Sequence, residues 1–213
     1  MVIRSNVIIA VGAHPDDIEL GCGGTIAACT ANGRKVIAVF LTKGEISGDA
    51  ELRCEESRRA LAFLGVREVY FGDFRDAEIP FSRQAIEFLE HFYNLNKPDV
   101  VLTHTVNDSH QDHRQVAWLS LSAFRNVPKM LAYETPKSTH AFAPQYYVEI
   151  TDFIDVKWKA LKCHESQGEK RYLAYESMVN LASFRGAQVN VKAAEAFEVV
   201  RYLEKTDNLR EKS

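Results

Sequence analysis

The feature that most constrains this chain is a set of short runs, several apolar nearly from end to end, that recur with amphipathic stretches between them. NVIIAVG (6–12), KVIAVFLT (35–42), VREVYFG (66–72), DVVLTH (99–104), KMLAYET (129–135) and YYVEIT (146–151) have the length and composition of strands. A strand with one wet face alternates polar and apolar residues. Several of these do not alternate, which predicts a parallel sheet covered on both faces. The stretches between them predict helices at about 23–32, 50–64, 82–96 and 113–126, one near 152–165 and a terminal one near 190–205. In SRQAIEFLEHFYNLNKP, for example, Ile86, Leu89, Phe92 and Tyr93 recur at helical spacing, Ser82 can cap the start and Pro98 marks the stop. The alternation implies right-handed crossovers and an open, doubly wound α/β sheet.

A chain of 213 residues suits one domain, 1–213, and can bury a sizeable core. With a formal net charge of -3 it has no general attraction to nucleic acid or to an anionic membrane. No apolar run approaches the roughly 18 residues of a membrane-spanning helix. The N-terminal MVIRSNVIIAVGA is interrupted by Arg4, Ser5 and Asn6 and runs on into HPDD, so it reads as a buried strand rather than a signal peptide. Cys22, Cys29, Cys54 and Cys163 show no C-x-x-C spacing, which makes them small buried hydrophobes and a reducing cytoplasm the expected compartment.

In doubly wound sheets, ligands sit beyond the carboxyl ends of the strands. His14 to Asp17 follow the first strand, Lys43 to Glu45 the second, Asp73 the third and His104 to His113 the fourth, all at one rim. KSTHAFAP (137–144) reads as a mobile loop. The glycines after HPDD do not make a dinucleotide fingerprint: Gly21 and Gly23 are correctly spaced, but the third position is Ile26 and HPDDIEL separates them from the strand. They predict close packing where the loop enters its helix. In HPDD itself, Pro15 keeps His14 out of helical conformation, and the consecutive carboxylates of Asp16 and Asp17 should diverge, one free to bind a metal and the other not. NDSHQDHRQV adds His110, Asp112 and His113 at the same rim. Two histidines and one carboxylate, with a position left for water, form a recurrent ligand set for catalytic zinc. Spacing alone does not choose between Asp16 and Asp17.

The pair AHPDDIELGCGGTI and HQDH, with LRCEESRRALAFLGV between them, resembles the zinc-dependent N-deacetylases of the PIG-L/LmbE family, which act on N-acetylglucosaminyl and related amino-sugar conjugates. LTKGE, the Arg53–Glu56 R-x-x-E pattern, KALKCHESQ and AEAFEVVR add weaker similarity. The resemblance implies a Rossmann-like three-layer α/β sandwich with a mostly parallel sheet. It implies zinc on His14, Asp17 and His113, with Asp16 as general base. It also implies a protonated His110, oriented by Asp112, facing the developing oxyanion, and Arg53 contacting substrate. Asp73 is a weaker candidate for a sugar hydroxyl. The partner implied is a small amino-sugar conjugate, and relatives often assemble, so a homo-oligomer (trimer or hexamer) is an expectation by analogy. The ligand types would also accept other divalent ions. His91, His104 and His164 read as structural, while Tyr133, Glu134 and His140 could wall the pocket. Two rival classes stand beside this one: a metal amidohydrolase acting on a non-sugar acyl amide, and a non-catalytic metal- or nucleotide-binding protein.

Overall fold

The computed structural model describes residues 5–204. Its sheet has seven strands: β1 (Val7–Gly12), β2 (Lys35–Phe40), β3 (Glu68–Phe71), β4 (Val100–His104), β5 (Lys129–Tyr133), β6 (Tyr146–Glu149) and β7 (Ala194–Tyr202). Their order is β3-β2-β1-β4-β5-β7-β6. The first five are parallel, whereas β7 runs antiparallel to both β5 and β6. The chain winds outward from β1 in one direction through β2 and β3 and in the other through β4 and β5. The switch point therefore falls between β1 and β4, where such sheets bind their ligands.

The continuous apolar runs are explained by cover on both faces. Ile8, Ala10, Ala38, Phe40 and Leu102 point to one side, under α1 (Asp17–Ala31), α2 (Ala50–Phe63), α5 (Ile154–Leu161) and α6 (Tyr175–Gln188). Ile9, Val11, Ile37, Val39 and Val101 point to the other, under α3 (Arg83–Asn96) and α4 (Gln111–Ala123). Each of the fully buried isoleucine, valine, leucine and phenylalanine side chains among these contributes roughly 1.5–3 kcal/mol. Ser82 caps α3 by accepting the Ala85 N–H, as its sequence predicts.

Three expectations change. Residues 190–204 do not form a helix: Ala194–Tyr202 is β7, inserted between β5 and β6, and residue 205 of the expected helix lies outside the described residues. A helix not anticipated, α6, precedes it. And α1 begins at Asp17, six residues before the expected start, because it consists of two helical segments joined by a kink at Cys22 (φ -145°, ψ 20°). The segment beyond the kink corresponds to the predicted 23–32 helix.

The kink has a visible support. The Glu195 carboxylate on β7 accepts the N–H groups of Gly24 (2.8 Å) and Thr25 (2.7 Å), capping the second segment. Lys157 Nζ closes the arrangement at 2.6 Å from Glu195 and donates to the Leu20 carbonyl at 2.7 Å. Glycine is needed here for close approach: a Cβ on Gly21 would stand 2.2 Å from the Tyr133 ring, and one on Gly24 would stand 2.8 Å from Ile150. The 137–144 stretch is tied down, with Ser138 bridged to Asp108 and the Thr139 N–H donating to Asn107 O at 2.8 Å.

Candidate active site

The loops leaving β1 and β4 meet at the switch point, and Asp17 is where they join. Its Oδ2 accepts the backbone N–H groups of Ala13 (3.1 Å) and His14 (2.8 Å), so the HPDD turn wraps around its own carboxylate. His104 Nε2, at the end of β4, lies 3.1 Å from the same oxygen. Oδ1 takes no backbone N–H and lies 3.2 Å from His113 Nε2, on the first turn of α4. Burial would raise the pKa of this carboxyl, but His113 and His104 outweigh it and hold Asp17 well below the usual carboxylate range.

The two flanking histidines are each gripped from behind by carboxylates. His113 Nδ1 is 3.0 Å from Asp108 Oδ2, which also accepts the Thr135 hydroxyl at 2.8 Å. His14 Nε2 is 3.0 Å from Asp76 and 3.1 Å from Asp112, while its Nδ1 is 3.3 Å from Asp17 Oδ2. Each imidazole thus has one nitrogen held by carboxylates outside the cradle and the other turned toward Asp17, and a carboxylate behind the ring is the arrangement that orients metal-binding histidines. Burial lowers the pKa of both rings, but the surrounding carboxylates reverse it, lifting His14 well above the ordinary histidine value and His113 to about 9.

One ligand-type atom from each of His14, Asp17 and His113 lies within 4.8 Å of the others. Donors at about 2.0–2.2 Å from a tetrahedral cation stand roughly 3.3–3.5 Å apart; His113 Nε2 lies 3.2 Å from Asp17 Oδ1, and His14 Nδ1 lies 3.3 Å from the other oxygen, Oδ2. Mixed nitrogen and oxygen donors, buried and short of positive charge, fit a divalent metal.

Asp16 has the opposite character to its neighbour. It is 4% exposed, and its Oδ2 has no hydrogen-bond partner among the described residues. Burial, reinforced by the Asp17 charge, pushes its pKa up to about 6 against the lowering effect of Arg53. Its backbone lies at φ 117°, a region that costs a non-glycine residue of order 1–3 kcal/mol. Arg53, 2% exposed, holds this turn. Its Nη1 donates to Gly44 O at 2.6 Å and its Nη2 to Pro15 O at 2.8 Å, with Asp16 3.6 Å away. Gly44 makes room: at φ +70° it has no Cβ, and one would fall 2.1 Å from Arg53 Nη1. Arg53 thus lines the cleft with its terminal nitrogens committed to the protein, and Glu56 does not pair with it but binds Ser166.

Two further expectations are corrected. Asp112 does not direct its carboxylate to His110: that oxygen lies against His14 and accepts the Ala77 N–H at 2.7 Å. What reaches His110 is the Asp112 backbone N–H, which donates to Nδ1 at 3.2 Å. Burial and the neighbouring His113 and His14 lower the His110 pKa, which disfavours the imidazolium, and in the neutral ring the N–H donated to Nδ1 leaves Nε2 to carry the proton. Asp73 stands apart, its side chain 88% exposed and paired with Lys43 at 3.0 Å, away from the cleft.

The cleft is lined by His14, Asp16, Asp17, Arg53, His110 and His113 with Asp76, Lys170 and Tyr172 among its other walls. Asp76, Lys170 and Tyr172 carried no motif in the sequence. Asp108 lay within the quoted NDSHQDH, five residues before the histidine it holds. His104, read as structural, contacts Asp17; burial pulls its pKa down to about 4. His164 is buried against Glu19 at 3.1 Å, beneath α1 and outside the cleft. Of the other expected wall residues, Tyr133 is buried with its hydroxyl on Val11 O, Glu134 binds Arg185 and His140 is exposed.

Comparison with known proteins identifies the family. Residues 9–124 match the family described as PIG-L: GlcNAc-PI de-N-acetylase. An uncharacterized deacetylase of Escherichia coli K12, YaiS, is 37% identical over 75% of this chain and 90% of its own length. The diacetylchitobiose deacetylase of Thermococcus kodakarensis is 32% identical over 75% of this chain and 69% of its own. Among solved structures, the N,N'-diacetylchitobiose deacetylase from Pyrococcus horikoshii superposes with a TM-score of 0.81 at 27% identity, covering 92% of this chain and 84% of that one. The chain belongs to the PIG-L/LmbE family of deacetylases. No described helix is long and apolar enough to cross a membrane.

Proposed function

We propose that the whole chain is one catalytic domain, a zinc-dependent N-deacetylase that hydrolyses the acetamide of an N-acetylated amino sugar. The observation that carries this reading is Asp16: a buried carboxylate with one oxygen that takes no hydrogen bond among the described residues and only a 3.6 Å contact with Arg53, held in strained backbone beside the cradle of His14, Asp17 and His113. The diacetylchitobiose deacetylases among its relatives, which are named for an N-acetylated amino sugar, support the choice of substrate class. The cysteines described are all free thiols, which suits a reducing cytoplasm.

An amide resists water because water is a weak nucleophile and an amine a poor leaving group. His14, Asp17 and His113 would hold the metal, and when bound it supplies Lewis acidity, polarising the carbonyl and acidifying water in the cleft. Asp16 accepts the proton from the attacking water as the new C–O bond forms. It returns that proton to the nitrogen as the C–N bond breaks, releasing acetate and a free amine. Arg53 is a positioning residue, fixing the Pro15–Asp16 turn through Pro15 O. Neutral His110 can donate its Nε2–H to the oxygen on which negative charge grows. Asp76 and Asp112 orient His14, and Asp108 orients His113. The same donor set suits other divalent ions.

The test is acetate release by the metal-loaded protein from a panel of N-acetylglucosaminides set beside N-acetyl amino acids. Cleavage of the sugars is expected. Cleavage of the amino acids alone would replace the substrate class, and inertness toward every acyl amide would remove the enzymatic reading.

A further inference from the structure

Beside the catalytic cleft lies a second, larger compartment. The cleft has a volume of about 90 Å³ and its neighbour about 520 Å³. Leu20, Pro136, Lys137 and Tyr172 line both, so the two are parts of one depression. A cleft of that size admits the acetamide end of a substrate, and the rest has to continue elsewhere. Much of the larger compartment is apolar, with Leu181 and Ala182 from α6 and Ala194 and Ala196 from β7.

Its charges divide into two kinds. Arg185 is closed by Glu134 at 2.5 and 2.7 Å, and Lys157 is closed by Glu195 at 2.6 Å. Lys137 and Arg171 line the same space, and Lys170 lines the cleft beside it. Among the described residues none of these three has a carboxylate within ion-pair distance. The Lys170 ammonium lies over the Tyr172 ring, 5.8 Å from its centroid. Unpaired cations from two separate segments, the β5–β6 connection and the turn at Arg171–Leu173, thus border an apolar cavity that opens beside the reacting centre.

We propose that this cavity seats the part of the substrate beyond the acetylated amine, an inference that rests on the deacetylase reading above, and that this part is an apolar group ending in an anion. A carboxylate or phosphate there would pair with Lys137 and Arg171, which line the cavity. A neutral second sugar would make no use of these exposed cations and would turn its hydroxyls toward aliphatic side chains that cannot hydrogen-bond them.

The probes are 4-carboxyphenyl and 4-carbamoylphenyl N-acetyl-β-D-glucosaminide, alike in shape and different in charge, with the 4-phosphonooxyphenyl glycoside as the phosphate arm and N,N'-diacetylchitobiose as the neutral sugar. For the unaltered enzyme, kcat/KM for the carboxylate should exceed that for the carboxamide by about tenfold, the low end for a charge-assisted contact. The gap should narrow as salt rises. In Lys137→Gln/Arg171→Gln the ratio should fall to near one, whereas Lys137→Arg/Arg171→Lys should keep most of it. The readout is the ratio, so a general loss of activity does not imitate the effect. The carboxylate and phosphate arms rank the two anions against each other. Equal rates for charged and neutral aryl glycosides, a charge preference that survives the glutamine pair, or diacetylchitobiose as the best substrate would each overturn the proposal. If no sugar loses acetate, calorimetric binding of the same aryl pair decides independently of turnover. Tighter binding of the carboxylate, lost in the glutamine variant, upholds the cavity assignment while the deacetylase reading fails. Equal or undetectable binding ends the proposal.

Discussion

Two regions of α1, only a few residues apart, bury charge in opposite ways. At the kink, the Glu195 carboxylate receives two backbone N–H groups and the Lys157 ammonium, which in turn donates to Leu20 O. At the first turn, Asp16, Asp17, Asp76, Asp108 and Asp112 crowd around His14, His104, His110, His113 and Arg53, and Asp16 Oδ2, Asp112 Oδ1, His104 Nδ1 and Arg53 Nε are buried without partners. The first set is complete and holds a helix in shape. The second is incomplete and short of positive charge, as a site that takes up a cation has to be. Unsatisfied buried groups also occur outside the cleft, at Glu19 Oε2 and His164 Nδ1; what distinguishes the first turn is that several carboxylates and imidazoles converge there.

The contrast can be broken first at the cradle. His14→Ala or His113→Ala should lose the bound ion and bring acetate release to background, measured by elemental analysis beside the assay; near-equimolar metal in either variant would break the ligand assignment. Next comes Asp16→Asn, which should keep the ion and lose roughly 10²–10⁴ in kcat. It should also be more stable than the unaltered protein when both are metal-free. With the Asp16 pKa raised from 3.8 to about 6, the native state holds a proton that the unfolded chain releases between those values. Stability therefore falls as pH rises through that window and stays low above it. Removing the charge should return of order 1–3 kcal/mol above pH 6 and nothing below pH 4, read from denaturant midpoints.

At the kink the pattern should invert. Lys157→Met leaves the Glu195 carboxylate buried without its counter-charge and should cost about 3–5 kcal/mol in chemical denaturation, while the folded fraction binds its ion normally. Last is a pH effect on ion affinity. Without metal, His113 (about 9) holds a proton at neutral pH, and the carboxylates around His14 favour its protonated form as well, so the ion has to displace protons. Affinity should rise about tenfold per pH unit for each proton displaced, levelling off near pH 9. A flat titration would mean that the histidines are not the ligands.

The strands β1, β2 and β4 were legible because their residues are buried on both faces and so carry an unbroken apolar signal, and HPDD and HQDH were legible because chemistry-bearing residues fall next to strand ends. β7 was not. AEAFEVVRY is rich in helix formers, and only its place between β5 and β6 makes it a strand, a tertiary effect that outweighs propensity. His104 and Asp76 gave no local pattern because their partners lie far away in the chain, Asp17 for one and His14 for the other. The orientation of His110 by Asp112 is implied by the resemblance and not by any local pattern, and here the Asp112 carboxylate makes a longer-range contact with His14 instead.

The most direct measurement titrates zinc into chelator-treated protein while following bound ion and acetate release from an N-acetylglucosaminide together. The account predicts that both rise in step, saturate at one ion per chain and vanish together in the His14→Ala/Asp17→Ala/His113→Ala variant. Undiminished acetate release from the metal-free protein, or stoichiometric zinc and full activity in that variant, would contradict it.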